Sequence, residues 1–229
     1  ESYANKDYKS IAQKTSTGTR LTLLLGMPAA AGMAVLARPI CALLYGSLPQ
    51  EEITIAGEIL AILSVGVIFL TLVQTLTAIL QGLNRITTPV RNLAVGALFK
   101  VVITYVLVGI PAIHVKGAAI GTVVCYGVAA VLDLAAVIRY SGVSMPFGEF
   151  FGKPVAAVAV MSLAVYGSYH YTEPVLSGNK ATLLSILVGV VVYAIVLLAT
   201  GAVRRQDFEM LPGGRKLSRI LTRLKLIRN

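Results

Sequence analysis

Residues 53–80 read ITIAGEILAILSVGVIFLTLVQTLTAIL, a run of 28 residues from Ile53 to Leu80 with a single charge, Glu58. About 20 apolar residues suffice to cross a bilayer as an α-helix. A soluble amphipathic helix would alternate faces with a period of about 3.6 residues, and this run has no charged face. Five further apolar blocks flank it: Thr19–Leu36, Pro89–Ile110, Val115–Ile138, Pro154–Tyr171 and Ala181–Val203. The first block continues past Arg38-Pro39 as a short apolar turn, Ile40–Tyr45, and carries Pro28, which should bend it. Pro89 and Pro154 are expected to open their helices, where a missing N–H is harmless. The fold class is therefore all-α, a polytopic transmembrane bundle of six spans over residues 19–203.

Composition agrees. Of 229 residues, 56% are hydrophobic and 13% charged, about half the charged share of a soluble domain. The net charge of +10 would suggest nucleic acid in a soluble chain. Here the cations sit at span ends and in the tail, so anionic lipid headgroups are the expected partner and nucleic acid is not.

The positions of those cations set an orientation. With residues 1–18 taken as a cytoplasmic segment, Lys6, Lys9, Lys14, Arg20, Arg85, Arg91, Arg139, Lys153 and the eight basic residues of the tail share the inner side. Arg38, Lys116 and Lys180 fall outside. Sixteen against three predicts cytoplasmic ends and an even number of spans. Residues 204–229 form a basic tail. From Gly213 it reads GGRKLSRILTRLKLIRN, with Leu217, Ile220, Leu221, Leu224 and Ile227 on one helical face. Arg215, Lys216, Arg219 and Arg223 lie mostly on the others, the pattern of an amphipathic helix on a membrane surface. A frayed, solvated tail is the alternative.

No nucleotide loop, dinucleotide fingerprint or HExxH zinc pattern occurs. No cofactor and no metal site is read, and no catalytic set assembles, so an enzyme is not expected. Cys41 and Cys125 read as small buried apolar residues. His114 is a loop residue, and His170 stands among Tyr166, Tyr169 and Tyr171 at a span end, an interfacial belt. Glu51-Glu52 is a solvated pair, and Glu58 can reach the outer interface. Gly117-Ala-Ala-Ile-Gly121 is a small-xxx-small strip that lets another helix approach.

Lys100 stands out. It lies eleven residues beyond Pro89, roughly 16 Å into its span at 1.5 Å per residue. A charge at that depth requires a polar or wet surrounding. Either it lines a functional cavity, or it is structurally paired or snorkels. Asp133 is its nearest obvious partner in sequence, but about 12 Å away in depth by the same rise. A shared polar cavity fits better than a direct pair. Gln74 and Gln81 share a face, and with Asn92, Thr104 and Thr122 they complete the set of candidate cavity residues. Thr71, Thr75 and Thr77 are further polar residues of the second span.

Several stretches resemble one family. GTRLTLLLGMP over Gly18–Pro28, then Gly32, then ARPICALLYG over Ala37–Gly46, are similar to the second lobe of the stage V sporulation protein B and MurJ-type flippases. These belong to the multidrug/oligosaccharidyl-lipid/polysaccharide exporter superfamily. ILQGLN over Ile79–Asn84, with Thr88-Pro89-Val90, and KGAAIGT over Lys116–Thr122 follow in the family's order. The resemblance implies a relative of fourteen spans in two pseudo-symmetric lobes. This chain would hold the last six, completed by an N-terminal lobe. It implies transport of undecaprenyl-linked polysaccharide or peptidoglycan precursors across the cytoplasmic membrane by alternating access. The arginines that hold the diphosphate in such relatives lie mostly in segments outside this chain, and Arg20 is not assigned that role. Some relatives bind a cation between the spans that here contain Lys100, Thr104 and Thr122. A lysine at the first of these positions would take the cation's place and hold the two threonines by hydrogen bonds. A multidrug or small-molecule antiporter of the same superfamily would favour acidic cavity residues, which are few here. A membrane-embedded cell-wall polymer transferase would need catalytic groups in the outer loops, which are short and plain.

Overall fold

The computed structural model describes residues 8–141 and 147–199, with the backbone alone for residues 8–14, 147–151 and 153. Seven helices account for nearly all of it: α1 (Tyr8–Val35), α2 (Ala37–Leu44), α3 (Gln50–Gly82), α4 (Thr87–Val108), α5 (Lys116–Ser141), α6 (Phe147–Thr172) and α7 (Gly178–Ala199). No strand occurs among the described residues. Five helical segments are long and apolar enough to cross a bilayer: Thr15–Val35, Gln50–Gly82, Thr87–Val108, Lys116–Ser141 and Gly178–Ala199. The expected span Pro154–Tyr171 falls within the 26-residue helix α6, which is not among these five.

The differences from the sequence expectations lie at helix ends. The polar residues from Tyr8 onward continue α1 without a break at residue 18, because Lys, Gln, Thr and Ser are tolerated where a helix leaves the bilayer. Pro154 sits a turn and more inside α6 instead of opening it. The residues called a basic tail, including Arg215, Lys216, Arg219 and Arg223, lie outside the described residues, as do Thr200–Val203 of the last span. At 33 residues, α3 is about 50 Å long, more than the roughly 30 Å hydrocarbon core.

The chain divides into two compact units, residues 1–146 and 147–229. In the first, α3 is central. It packs against α1 and α2 on one side and α5 on the other, and α4 packs on α5. The α1–α3 contact runs through small and hydroxyl residues. Gly26 faces Thr71, whose Oγ1 lies 2.6 Å from where a Cβ would stand, and the hydroxyls of Thr22 and Thr75 are 2.5 Å apart. The α3–α5 contact is apolar: Leu76, Leu80 and Val137 are fully buried, with Val73, Ala129 and Ala130 a turn further along. The link to α4 is a Schellman turn. The Arg85 amide bonds to the Leu80 carbonyl at 2.8 Å, the Asn84 amide to that of Gln81 at 3.0 Å, and Asn84 takes φ 59°, a region asparagine tolerates.

In the second unit, α6 and α7 pack through Ala157, Met161 and Val165 against Ala181, Ser185 and Gly189. Gly189 lets Val165 approach: a Cβ there would stand 2.6 Å from the valine methyl.

Candidate functional site

The seam between α4 and α5 holds most of the candidate polar residues. On α5, every fourth residue from Gly117 to Ser141 is buried: Gly117, Gly121, Cys125, Ala129, Asp133, Val137 and Ser141. That spacing makes one ridge along the helix, built mainly of small side chains, which is how membrane helices approach closely. The matching line on α4 is Asn92, Gly96, Lys100 and Thr104. A Cβ on Gly96 would stand 2.5 Å from the Cys125 carbonyl oxygen. One on Gly121 would meet the Thr104 hydroxyl and come within 3.2 Å of the Lys100 carbonyl. One on Gly117 would stand 2.8 Å from Leu107 Cβ and 2.9 Å from the Val108 amide nitrogen. The Gly117–Gly121 strip therefore does receive a helix, and that helix is α4.

Lys100 has its backbone in this seam and its side chain exposed. No hydrogen bond or ion pair of its side chain occurs among the described residues. Its own helix is the barest span: Pro89 and Gly96 are its buried residues, while Leu98, Val101, Val102, Tyr105 and Val106 are exposed.

Asp133 is in the opposite situation. Its exposure is 0%. It lies between Ala129 and Val137, where α5 meets both α3 and α4, and Asn92 Nδ2 donates to its Oδ1 at 2.8 Å. Its Oδ2 is buried with no hydrogen-bond partner. Asn92, not Lys100, is thus its partner.

The remaining candidates divide. Gln74 and Gln81 are exposed together on α3, whereas Thr71 and Thr75 turn to α1. The Thr122 hydroxyl donates to the Ala118 carbonyl of its own helix at 2.9 Å. Thr104 Oγ1 is buried without a hydrogen-bond partner. The bridge expected from Lys100 to both threonines is therefore not formed: the lysine side chain is exposed, and Thr104 Oγ1 is left without a partner. These residues do not fit a bound cation either, since a lysine and two neutral hydroxyls bring no anionic ligand, and no group of three or more His, Cys, Asp or Glu gathers among the described residues.

Two charged features at opposite ends of the first unit complete the picture. At one end, Glu58 of α3 takes Arg38 of α2 at 3.3 Å and Lys116 of α5 at 2.5 Å. Gly57 admits the Arg38 backbone beside it, with Cα 2.9 Å from the site of a Cβ. At the other end, the Arg85 guanidinium lies over the Tyr140 ring, 4.5 Å from its centroid. Sequence reading left Glu58 as an interfacial residue. Its two cations lie 20 and 58 positions away in the chain, and no local pattern announces them.

Close-packed apolar helices with a few polar groups in their seams define a multi-pass, all-α membrane protein. The family model described as "Lipid II flippase MurJ" matches residues 1–189. The chain belongs to that family. Among curated proteins it is 25% identical over 226 residues to the "Uncharacterized membrane protein YabM" of Bacillus subtilis, covering 96% of this chain and 41% of that one. It is 27% identical over 144 residues to the Bacillus subtilis "Lipid II flippase MurJ", covering 63% of this chain and 26% of the relative. A solved "Lipid II flippase MurJ, inward closed conformation" superposes with TM-score 0.65 at 19% identity, over 83% of this chain and 39% of that structure. The chain thus spans about two fifths or less of the length of these proteins.

Proposed function

We propose that this chain is the second-lobe portion of a flippase that moves undecaprenyl-linked cell-wall precursors across the cytoplasmic membrane. It acts as a transporter and not as an enzyme. The family membership supports the class of activity, and one observation ties it to this chain. Lys100 stands near mid-depth of an exposed span with no partner for its charge among the described residues. Lipid tails do not tolerate such a charge, whereas a polar translocation path does. In that path the ammonium attracts the anionic part of a lipid-linked diphosphate precursor. Exposed Gln74 and Gln81 offer neutral hydrogen-bonding groups on α3. An N-terminal lobe completes the path, both ends of the chain face the cytoplasm, and the basic tail from Gly213 rests on anionic lipid.

The test is complementation of a flippase-deficient strain, with membrane levels of each variant measured alongside. Lys100→Met keeps the length and removes the charge, so the protein should insert normally and fail to support growth. Lys100→Arg keeps the charge with another shape and should retain part of the activity. Full complementation by a normally inserted Lys100→Met would show that the charge plays no part in transport.

A further inference from the structure

We infer that Asp133 and Asn92 form a proton-binding site where α3, α4 and α5 meet, the Asp133 carboxyl holding a proton while α4 is docked on α5. This goes beyond the proposed cargo and concerns the ion that could drive or gate the movement.

The argument begins with what surrounds the carboxyl. Asp133 is sealed from solvent within its own unit, on a ridge whose neighbours a turn away are Ala129 and Val137. An ionised carboxylate needs several hydrogen-bond donors or a cation when it is taken out of water. Here Oδ1 receives one N–H, from Asn92, and Oδ2 receives none.

The charges on every element packed against it do not supply what is missing. On α3 the titratable residues are Glu51, Glu52 and Glu58, all in its first three turns, far from the Val73–Leu80 stretch that packs on this part of α5. On α4 there are Arg91, Lys100 and Tyr105, with exposed side chains. On α5, Lys116 is committed to Glu58 at the far end, Arg139 is exposed, and Tyr140 lies under Arg85, leaving Cys125 and Tyr126 as the other titratable groups. Asn92 is the one hydrogen-bond partner of the carboxyl among the described residues, and Oδ2 has none. A neutral carboxylic acid is the form such a pocket accommodates.

Asn92 suits both states of the site. Its amide can donate an N–H to a carboxylate or, turned over, accept the O–H of the acid through its oxygen; which orientation holds follows from the proton. When α4 moves away from α5 and water enters, the Asn92–Asp133 hydrogen bond is exchanged for hydrogen bonds to water, the acid gives its proton to water, and the O–H bond is the one covalent bond broken. Proton uptake therefore favours the docked seam and proton loss favours its opening, so lower pH favours docking.

The experiment uses the full-length protein in lipid nanodiscs and infrared spectroscopy. The wild type at neutral pH should show a protonated-carboxyl stretching band that shifts on exchange into deuterium oxide. That band should be lost in Asp133→Asn. In wild-type protein carrying 13C-labelled aspartate it should move, a measurement that needs no variant to fold. A wild type without the band, a band retained in folded Asp133→Asn, or one that ignores the aspartate label would each overturn the inference.

Discussion

Gly96→Ala probes the seam on which the whole reading of α4 depends. The new methyl would lie 2.5 Å from the Cys125 carbonyl oxygen and 3.3 Å from its carbon. Both are backbone atoms of α5, so no side chain can swing aside. Restoring ordinary contact requires α4 to retreat by roughly 1 Å, which separates Asn92 from Asp133 and Thr104 from Gly121. Overpacking of this kind costs about 1–3 kcal/mol. Alanine also favours a helix over glycine by about 1 kcal/mol, which would mask part of the loss. Gly32→Ala on α1 removes that ambiguity, because its Cβ would meet nothing within 4 Å. The difference between the two variants isolates the clash. At about 2–4 °C per kcal/mol for a domain of this size, Gly96→Ala should melt roughly 2–12 °C below Gly32→Ala. The assay is the thermal midpoint of the detergent-solubilised protein, followed by loss of the monodisperse peak. Equal midpoints, or a higher one for Gly96→Ala, would mean that α4 does not rest on α5 at this spacing.

Two further outcomes are expected. Single cysteines at the exposed positions Ser47, Ala112 and Ser177 should react with an impermeant label applied outside the cell, and one at Asn84 should not. Asn84 is exposed in the turn between α3 and α4, and the reverse pattern would invert the orientation. Glu58→Gln removes the carboxylate that joins α2, α3 and α5, and should lower the thermal midpoint slightly, by an amount that shrinks as salt is raised. A loss insensitive to salt would show that the side chain acts through packing instead.

The sequence alone located the apolar helices, five of which are long and apolar enough to cross a bilayer, because about 20 consecutive apolar residues are a local property that needs no partner. It also separated Arg85, Arg91 and Arg139 from Arg38 and Lys116. The structure keeps that division: Arg85 meets Tyr140 at one end, and Arg38 and Lys116 meet Glu58 at the other. The depth of Lys100 could be counted along its helix. What lay out of reach was which faces meet. In a soluble helix the apolar stripe marks the buried side, but these spans are apolar all round, and lipid is as apolar as a neighbouring helix. The signal that could have served is the four-residue spacing of small side chains from Gly117 to Ser141. It places Asp133 on the same buried ridge as Gly121 and Cys125, and so in the seam with Asn92 and out of reach of Lys100. Only the tertiary structure decided that α4 leans on α5 and not on α3, its neighbour in the chain, because glycine positions and van der Waals contact set that choice once hydrophobicity no longer distinguishes one face from another.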